Sequence, residues 1–340
     1  MSDVVNLAVN WGIKSLLVLL VSLLGIFVGL LYKGFDRKIT AMMQGRIGPP
    51  WTQPFKDIKK LFMKETIIPD TAVPWLFNAA PVFALVAPLV ALAYLPLGPF
   101  DPIMEGYGGL ILLLYLLAIP AVAMALGGLA SGSPYATVGS QRELVLMMSY
   151  ELPLAIAAVA LAYNFETFSI AAISSEPVWS TVGGVGLLGF AMILGTLFAV
   201  MPGELSKVPF DQAEAETELA GGLFVEYSGR NLGLFYVAEV VKMVFVGTLL
   251  IALFFPYHLS SWFSFGGPEV FNGMLLGNLI VDIAFFLFKL LIIIYVAVSV
   301  VRVAFARFQI DRASYFYWVP MTVIGLIGTL LVMLEGSMAI

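Results

Sequence analysis

The chain has 340 residues, of which 61% are apolar and 11% are charged, and its formal net charge is −5. Ordinary globular proteins have about 45–50% apolar and about 25% charged residues, so this composition excludes a soluble two-domain protein and predicts a multi-pass membrane protein. Cysteine is absent and histidine occurs once, which excludes disulfides, iron–sulfur ligation and a cysteine–histidine zinc site in this chain.

Eight apolar segments predict an all-α fold with eight transmembrane helices in a single domain, 1–340. Each segment offers about 20 mostly apolar residues, the length that crosses a hydrocarbon core of about 30 Å. No internal repeat is visible, so the pattern typical of inverted-repeat transporters is missing. The predicted spans lie near 13–33, 74–97, 107–130, 144–165, 180–203, 231–256, 276–301 and 314–335.

Lysine and arginine are concentrated in alternate loops. Eight of them lie between Lys33 and Lys64, whereas the loops on the opposite side carry only Lys14. By the positive-inside rule, the loops between spans one and two, three and four, five and six, and seven and eight face the cytoplasm. The sequence therefore predicts a protein of the cell membrane with both termini outside.

The first of these loops contains a predicted amphipathic helix at 54–64. The Gly48-Pro49-Pro50 run breaks any helix, and Pro54 suits the start of the next one. The apolar residues Phe55, Ile58, Leu61 and Phe62 fall on one face, and Lys56, Lys59, Lys60 and Lys64 on the rest. This pattern indicates a helix in the membrane interface. The same helix can serve as a docking platform for a cytoplasmic partner, and the two interpretations are compatible.

The loop at 204–229 is rich in carboxylates, against the charge bias of its side. It holds Glu204, Asp211, Glu214, Glu216, Glu218 and Glu226, with Lys207 as its only basic residue. If the segment is helical, Asp211, Glu214 and Glu218 share one face and raise one another's pKa values. A solvated acidic loop and a carboxylate metal site are the alternatives. We favour a loop that collects or relays protons.

Several charges fall inside the predicted spans, where a charge without a partner costs several kcal/mol and is a functional candidate. Glu239 lies about 12 Å deep at 1.5 Å per residue. Glu143 and Glu204 are predicted at the cytoplasmic ends of the fourth and fifth spans. Deeper in the membrane follow, in order, Glu151, Glu239, Lys242 with Lys289 at similar depth, and Asp282, which is nearest the outside. Such a series carries protons if water joins its members. The structural alternative is mutual neutralisation, for instance of Glu239 by Lys242 or by Lys289.

Motifs in the polar loops and in the fourth span have the spacing of a known family. They are DRK at 36–38, MQGRIGP at 43–49, QP at 53–54, SYE at 149–151, PFD at 209–211, EYSG at 226–229, AE at 238–239, and the pattern of arginines and aspartate at 302–311. The chain resembles the H-subunit family of respiratory complex I and its relatives in energy-converting membrane-bound [NiFe] hydrogenases. The resemblance covers most of the chain.

The resemblance implies a non-catalytic subunit that holds the membrane arm against a redox module and links redox events to ion translocation. Together with the charges inside the spans, it gives an ion-coupling set of Glu143, Glu151, Glu204, Asp211, Glu214, Glu216, Glu218, Glu226, Glu239, Lys242, Asp282 and Lys289. It also implies a docking interface of Asp36, Arg37, Arg46, Gln53, Lys60, Lys64, Arg302, Arg307 and Asp311.

Departures from the family pattern favour the hydrogenase branch. Only residues 50–52 separate the Gly-Pro and Gln-Pro pairs, where quinone-reducing members have a longer stretch. The expected partners are hydrogenase-like large and small redox subunits, antiporter-like and small membrane subunits, and lipid, with no nucleic acid. We expect no cofactor in this chain, and a [NiFe] centre and iron–sulfur clusters in the partners. The alternatives are a membrane subunit of a sulfur reductase, the H-subunit of a quinone oxidoreductase and, more distantly, a free-standing ion transporter.

Overall fold

The computed structural model describes the backbone of residues 2–104, 106, 109–263, 265–271 and 274–338, and their side chains except those of 2–10, 216, 269–271, 274, 337 and 338. Within these residues, eight helical segments are long and apolar enough to cross a membrane. They are Trp11–Met43, Pro74–Leu92, Leu110–Ala130, Pro134–Phe165, Gly184–Glu204, Gly229–Ser261, Leu276–Ala304 and Ile310–Gly336. The predicted all-α membrane fold is confirmed.

The α-helices are numbered in chain order. They are α1 (Ser2–Met43), α2 (Gln53–Met63), α3 (Pro74–Leu92), α4 (Leu110–Ala130), α5 (Pro134–Phe165), α6 (Ile170–Ser175), α7 (Val178–Thr181), α8 (Gly184–Glu204), α9 (Glu216–Leu219), α10 (Gly229–Phe254), α11 (Leu276–Ile294), α12 (Val301–Ala304), α13 (Ile310–Phe316) and α14 (Thr322–Met338). Tyr295–Val300 and Tyr317–Met321 are π-helical, and 3₁₀ turns occupy Gln212–Glu214, Gly222–Phe224 and Leu259–Ser261. A small antiparallel hairpin pairs β1 (Glu269–Phe271) with β2 (Met274–Leu275).

Two helices extend beyond the apolar runs that predicted them. α1 continues to Met43 rather than ending near residue 33, and α5 begins at Pro134 rather than near residue 144. A helix need not end where its apolar run ends, because lysine, arginine and glutamate are themselves good helix formers. The charged ends of α1 and α5 therefore belong to the helical bundle and not to the loops.

α10 is the central helix of the bundle. Some 94% of its most apolar stretch is buried, against 22% for α1, and it packs on α1, α2, α3 and α11. Its apolar side chains join those of α4, α5 and α8 in the main core. The charges that α10 carries must therefore find partners inside the protein.

The amphipathic helix α2 lies across the ends of α1 and α10. Phe55 of α2 meets Phe27 of α1 with ring centroids 5.5 Å apart. At the start of α10, Gly229 has a φ of +57°, and a Cβ at this position would collide with the backbone carbonyl of Glu65. Glycine therefore allows the start of α10 to approach the chain that follows α2. The predicted short amphipathic helix is confirmed.

Candidate functional site

The most deeply buried charges form an ion pair between α8 and α10. Glu204 is the last residue of α8 and is 2% exposed, and Lys242 in the middle of α10 is 3% exposed. Nζ of Lys242 lies 2.6 Å from Oε1 of Glu204. Within the described residues, neither of these atoms has a further hydrogen-bond partner. Each of the two charges is therefore stable in the interior only while the other is present, because removing one leaves an uncompensated buried charge.

A second buried carboxylate, Glu143, lies in the third turn of α5. Its Oε1 accepts a hydrogen bond of 3.2 Å from the hydroxyl of Ser206. Within the described residues, its Oε2 has no hydrogen-bond partner. Ser206 has a φ of +48°, in the left-handed region that non-glycine residues rarely adopt. The turn after α8 therefore accepts backbone strain and places this hydroxyl against the carboxylate.

Glu239, one helical turn before Lys242, is shared by two lysines. Nζ of Lys33 lies 2.6 Å from its Oε2, and the ammonium of Lys207 contacts its Oε1. Lys33 comes from α1 and Lys207 from the segment after α8, so this cluster joins three parts of the chain. Lys33 also lies 5.3 Å from the ring centroid of Tyr236.

The pairing of Glu239 with Lys242 or Lys289, which the sequence left open as an alternative, is not found. α10 is buried on all sides, so residues three positions apart can face different neighbours: Glu239 faces α1 and Lys242 faces α8. Lys33 and Lys207 were missed as partners because both were expected to lie in loops. One signal was available for Lys207, which is the only base in the acidic segment.

A cavity of about 20 Å³ brings the two charged clusters together. Its wall includes Glu204, Glu214, Glu239 and Lys242, together with Ser206 and apolar side chains of α3, α4 and α10. This volume is sufficient for one water molecule, which needs two or more polar partners. A water there can bridge the carboxylates, so the arrangement can move a proton between the acidic segment and the middle of α10.

The carboxylates of the acidic segment, 204–229, point in different directions. Asp211 accepts two hydrogen bonds from Arg307, of 2.7 and 2.6 Å, Glu218 pairs with Arg142 at 2.6 Å, and Glu214 faces the cavity. The segment forms a 3₁₀ turn and the one-turn helix α9 and not one continuous helix. The condition for a common face of Asp211, Glu214 and Glu218 is therefore not met. Among the described side chains, no three acidic or histidine groups are placed to hold a metal ion.

The environment of the cavity shifts two groups toward neutral titration. Burial raises the pKa of Glu214, with the charge of Asp211 adding to it and those of Lys207 and Lys33 opposing it. Burial, and then the charge of Lys33, lower the pKa of Lys207 to about 7. Desolvation is the largest cause in both cases, rather than the mutual repulsion of carboxylates that the sequence suggested.

We expect Arg307→Lys to loosen the acidic segment. The guanidinium holds Asp211 by two parallel hydrogen bonds and also donates to Thr217 at 3.2 Å. Lysine cannot reproduce this planar fork. The loss of one charged hydrogen bond should accelerate amide hydrogen exchange across 211–219 by roughly tenfold to a hundredfold. Unchanged exchange in this segment, with faster exchange elsewhere, would contradict the anchoring role.

Glu151 and Glu226, two further predicted coupling residues, are not among the described residues that line the cavity. Glu151 is half-buried in α5 and Glu226 is half-buried just before α10. Among the described residues neither has an ion pair, and the side chain of Glu216 lies outside the described part of the structure. A coupling role for these three stays a prediction.

Asp282 and Lys289 form a separate group at the opposite end of α10. Asp282 accepts hydrogen bonds from the backbone N–H and the hydroxyl of Ser260, at 2.9 and 2.5 Å. The ammonium of Lys289 donates to the carbonyls of Phe255 and Tyr257, both at 2.8 Å. The ammonium of Lys289 is therefore not at the predicted depth of Lys242, because its long side chain reaches toward the far end of α10. Apolar side chains and one threonine separate the two groups along α10.

The predicted docking residues divide into internal and exposed sets. Asp36 is buried and accepts a hydrogen bond of 2.6 Å from Ser299, so its predicted surface role is wrong. It also pairs with Arg302 at 3.3 Å, because α1 continues into the bundle at this point. The exposed residues are Arg46, Lys60, Lys64 and Asp311.

Arg37 of α1 and Gln53 of α2 bind the same carboxylate of α2, and the contact of Arg37 joins the two helices. Arg37 donates to Asp57 at 2.8 Å and Gln53 donates to the same carboxylate at 2.9 Å. Partial burial raises the pKa of Asp57, but these hydrogen bonds outweigh it and lower the pKa below its usual value. Two of the predicted docking residues thus have an internal partner as well.

The sequence profile of the NADH dehydrogenase family matches residues 14–333. The chain belongs to this family. The H-subunit of NADH-quinone oxidoreductase from Syntrophotalea carbinolica is 32% identical over 310 residues, 87% of each chain. The same subunit of Brevibacillus brevis is 30% identical over 333 residues, 94% of this chain and 92% of the relative. The resemblance to the H-subunit family is confirmed.

A solved structure extends this relationship. A chain in the structure of the membrane-bound sulfane sulfur reductase, an archaeal respiratory membrane complex, has a TM-score of 0.80 and 29% identity to this family member. The match covers 94% of this chain and 99% of that chain. The whole bundle is therefore common to the two proteins.

Proposed function

We propose that this chain is the membrane subunit of a complex I-related oxidoreductase and couples electron transfer in its partners to the translocation of protons or sodium ions. The observation that carries the proposal is the buried charge network around one cavity, from Glu214 through Glu239 to the Glu204–Lys242 pair. The chain acts without catalysing the redox reaction and binds no redox cofactor.

In this proposal the side that carries α2 and the acidic segment faces the cytoplasm, and both termini lie outside in the cell membrane. The excess of lysine and arginine on the α2 side supports this orientation. The exposed Arg46 and Asp311 lie on that side and serve to dock a redox module. The module consists of hydrogenase-like large and small subunits with a [NiFe] centre and iron–sulfur clusters, and antiporter-like and small membrane subunits complete the complex.

The coupling step is a change in the charge of Glu214. Reduction in the docked module alters the field at the acidic segment, which Arg307 and Arg142 hold in place. Protonation of Glu214 then changes the field at Glu239, which borders the same cavity. Charges a few Å apart in a low-dielectric interior shift one another's pKa values by units, so the change passes on to the Glu204–Lys242 pair.

Three observations point to different types of complex. The short stretch at 50–52 supports the hydrogenase type. The structural relative supports a sulfur-reductase complex, and the H-subunit relatives support a quinone oxidoreductase. Purification of the native complex through a tag on this chain, with mass spectrometry and nickel analysis, tests these alternatives. We expect a redox partner with bound nickel. The same partner without nickel would contradict the hydrogenase type. Recovery of this chain alone, still transporting ions, would contradict the coupling function and favour a free-standing transporter.

Lys207→Met should move the pH dependence of coupled ion transport. The positive charge of Lys207 lowers the pKa of Glu214, so its removal raises that pKa and keeps Glu214 protonated to higher pH. If ionised Glu214 is required, the acidic limb of the transport profile shifts toward alkaline pH. Lys207→Arg keeps the charge and serves as the control. A shift toward acid, or an equal shift in both variants, would contradict this assignment.

A further inference from the structure

An interfacial cavity of about 360 Å³ lies between α1, α2 and α10 and shares Lys33 with the charge cluster around Glu239. Its apolar wall is formed by Leu30, Ile58, Leu61, Leu232 and Val240, and its polar wall by Lys33, Arg37, Asp57, Lys60 and Lys64. The volume is that of a small-molecule site, and the mixture of walls suits a ligand with an apolar part and an anionic part.

The charges around the interfacial cavity do not balance. Asp57 pairs with Arg37, and Glu239 pairs with Lys33. Lys60 and Lys64 have no ion pair among the described residues, so the cavity carries two uncompensated positive charges on α2. Two adjacent cations beside an apolar wall favour a single phosphate group at the membrane interface.

A stripe on α1 provides a place for hydrocarbon chains next to the interfacial cavity. Leu16, Leu20, Leu23 and Phe27 recur at helical spacing and are exposed, so they lie on one face of α1. The next residue of this face is Leu30, which lines the cavity. The exposed stripe therefore runs from the cavity toward the middle of the membrane.

We propose that the interfacial cavity binds the phosphate headgroup of an anionic phospholipid, held by Lys60 and Lys64, with its hydrocarbon chains along the α1 stripe. The headgroup lies next to Lys33, whose ammonium also binds Glu239. The lipid therefore borders the coupling network without being part of it, and its binding does not depend on the proposed coupling function.

The test uses the tagged native complex, purified in mild detergent and depleted of lipid. Phosphatidylglycerol and the zwitterionic phosphatidylcholine are added at equal concentrations, and the lipid retained is measured by native mass spectrometry. The test variant is the double substitution Lys60→Gln and Lys64→Gln. The matched control is Lys56→Gln with Lys59→Gln, because these lysines belong to the same helix but do not line the cavity.

We expect the complex to retain phosphatidylglycerol over phosphatidylcholine. The test variant should lose about 30-fold in phosphatidylglycerol retention, the effect expected for two interfacial cations. The control should lose several-fold less retention than the test variant, because Lys56 and Lys59 do not line the cavity and attract the phosphate only through solvent, where charges interact weakly. Replacing Lys60 and Lys64 with arginine should keep the retention.

Three results would overturn the proposal. Equal losses in the test and control variants would show a general surface-charge effect. Displacement of the lipid by millimolar inorganic phosphate alone would indicate a free phosphate site. Retention of a neutral quinone in the same cavity, unaffected by the lysine substitutions, would show that the apolar wall and not the cations selects the ligand.

Discussion

Glu239→Gln is expected to reduce ion translocation per electron transferred by about a hundredfold, the scale on which a positioned acid–base group acts. Glutamine has nearly the size of glutamate but cannot titrate. It also cannot neutralise Lys33 and Lys207, both of which bind this carboxylate. The measurement is ion uptake by proteoliposomes containing the complex, recorded together with oxidation of the electron donor.

Glu176→Gln is the matched control for this variant. Glu176 is exposed between α6 and α7 and has no ion pair among the described residues. Its substitution removes one carboxylate without touching the charge network. Normal translocation in Glu239→Gln, at a normal rate of electron transfer, would show that Glu239 is not an essential relay. A loss of electron transfer together with loss of the redox partner would point instead to a role in assembly.

Lys242→Met is expected to destabilise the protein by about 3–5 kcal/mol, because it leaves Glu204 charged and buried without a partner. Glu204→Gln should have a similar cost, since it leaves the ammonium of Lys242 alone. The double variant should recover most of the stability, because two neutral side chains of similar volume remain. Thermal unfolding of the purified complex in detergent measures all three variants.

The double variant also separates structure from function. If the Glu204–Lys242 pair serves coupling, the double variant folds but does not translocate ions. If the pair is only structural, the double variant both folds and translocates. Additive destabilisation of the two single substitutions would contradict a direct interaction, because contacting residues show coupling energies of about 0.5–3 kcal/mol.

The sequence predicted the spans well because the bilayer imposes a length and an apolar composition on each of them. The ends of the spans were less accurate, as α1 and α5 show. An apolar pattern stops at the first charge, whereas the helix can continue through residues such as lysine and arginine, which favour helix. Asp36, predicted at the surface, lies on this continued part of α1, where it is buried and binds Ser299 on the π-helical turn after α11.

The sequence shows which charged residues are candidates for function, but it does not show which residues they pair with. The acidic segment and the charges within the spans stand out in the sequence because such residues are costly in a membrane. Their pairing depends on which neighbours α10 faces at each turn, and no spacing rule within one helix gives that information. The sequence offered Lys242 and Lys289 as possible partners of Glu239, whereas the carboxylate binds Lys33 and Lys207.

By itself, the sequence determined that this is an all-α membrane protein, that it lacks the ligands for a metal–sulfur centre, and that it has the motifs of the H-subunit family. These properties follow from composition and local spacing. Only the tertiary structure decided that Glu214, Glu239, Glu204 and Lys242 share one cavity while Asp282 and Lys289 lie apart from it. Burial and pairing depend on which helices pack together, and these contacts join residues far apart in the chain.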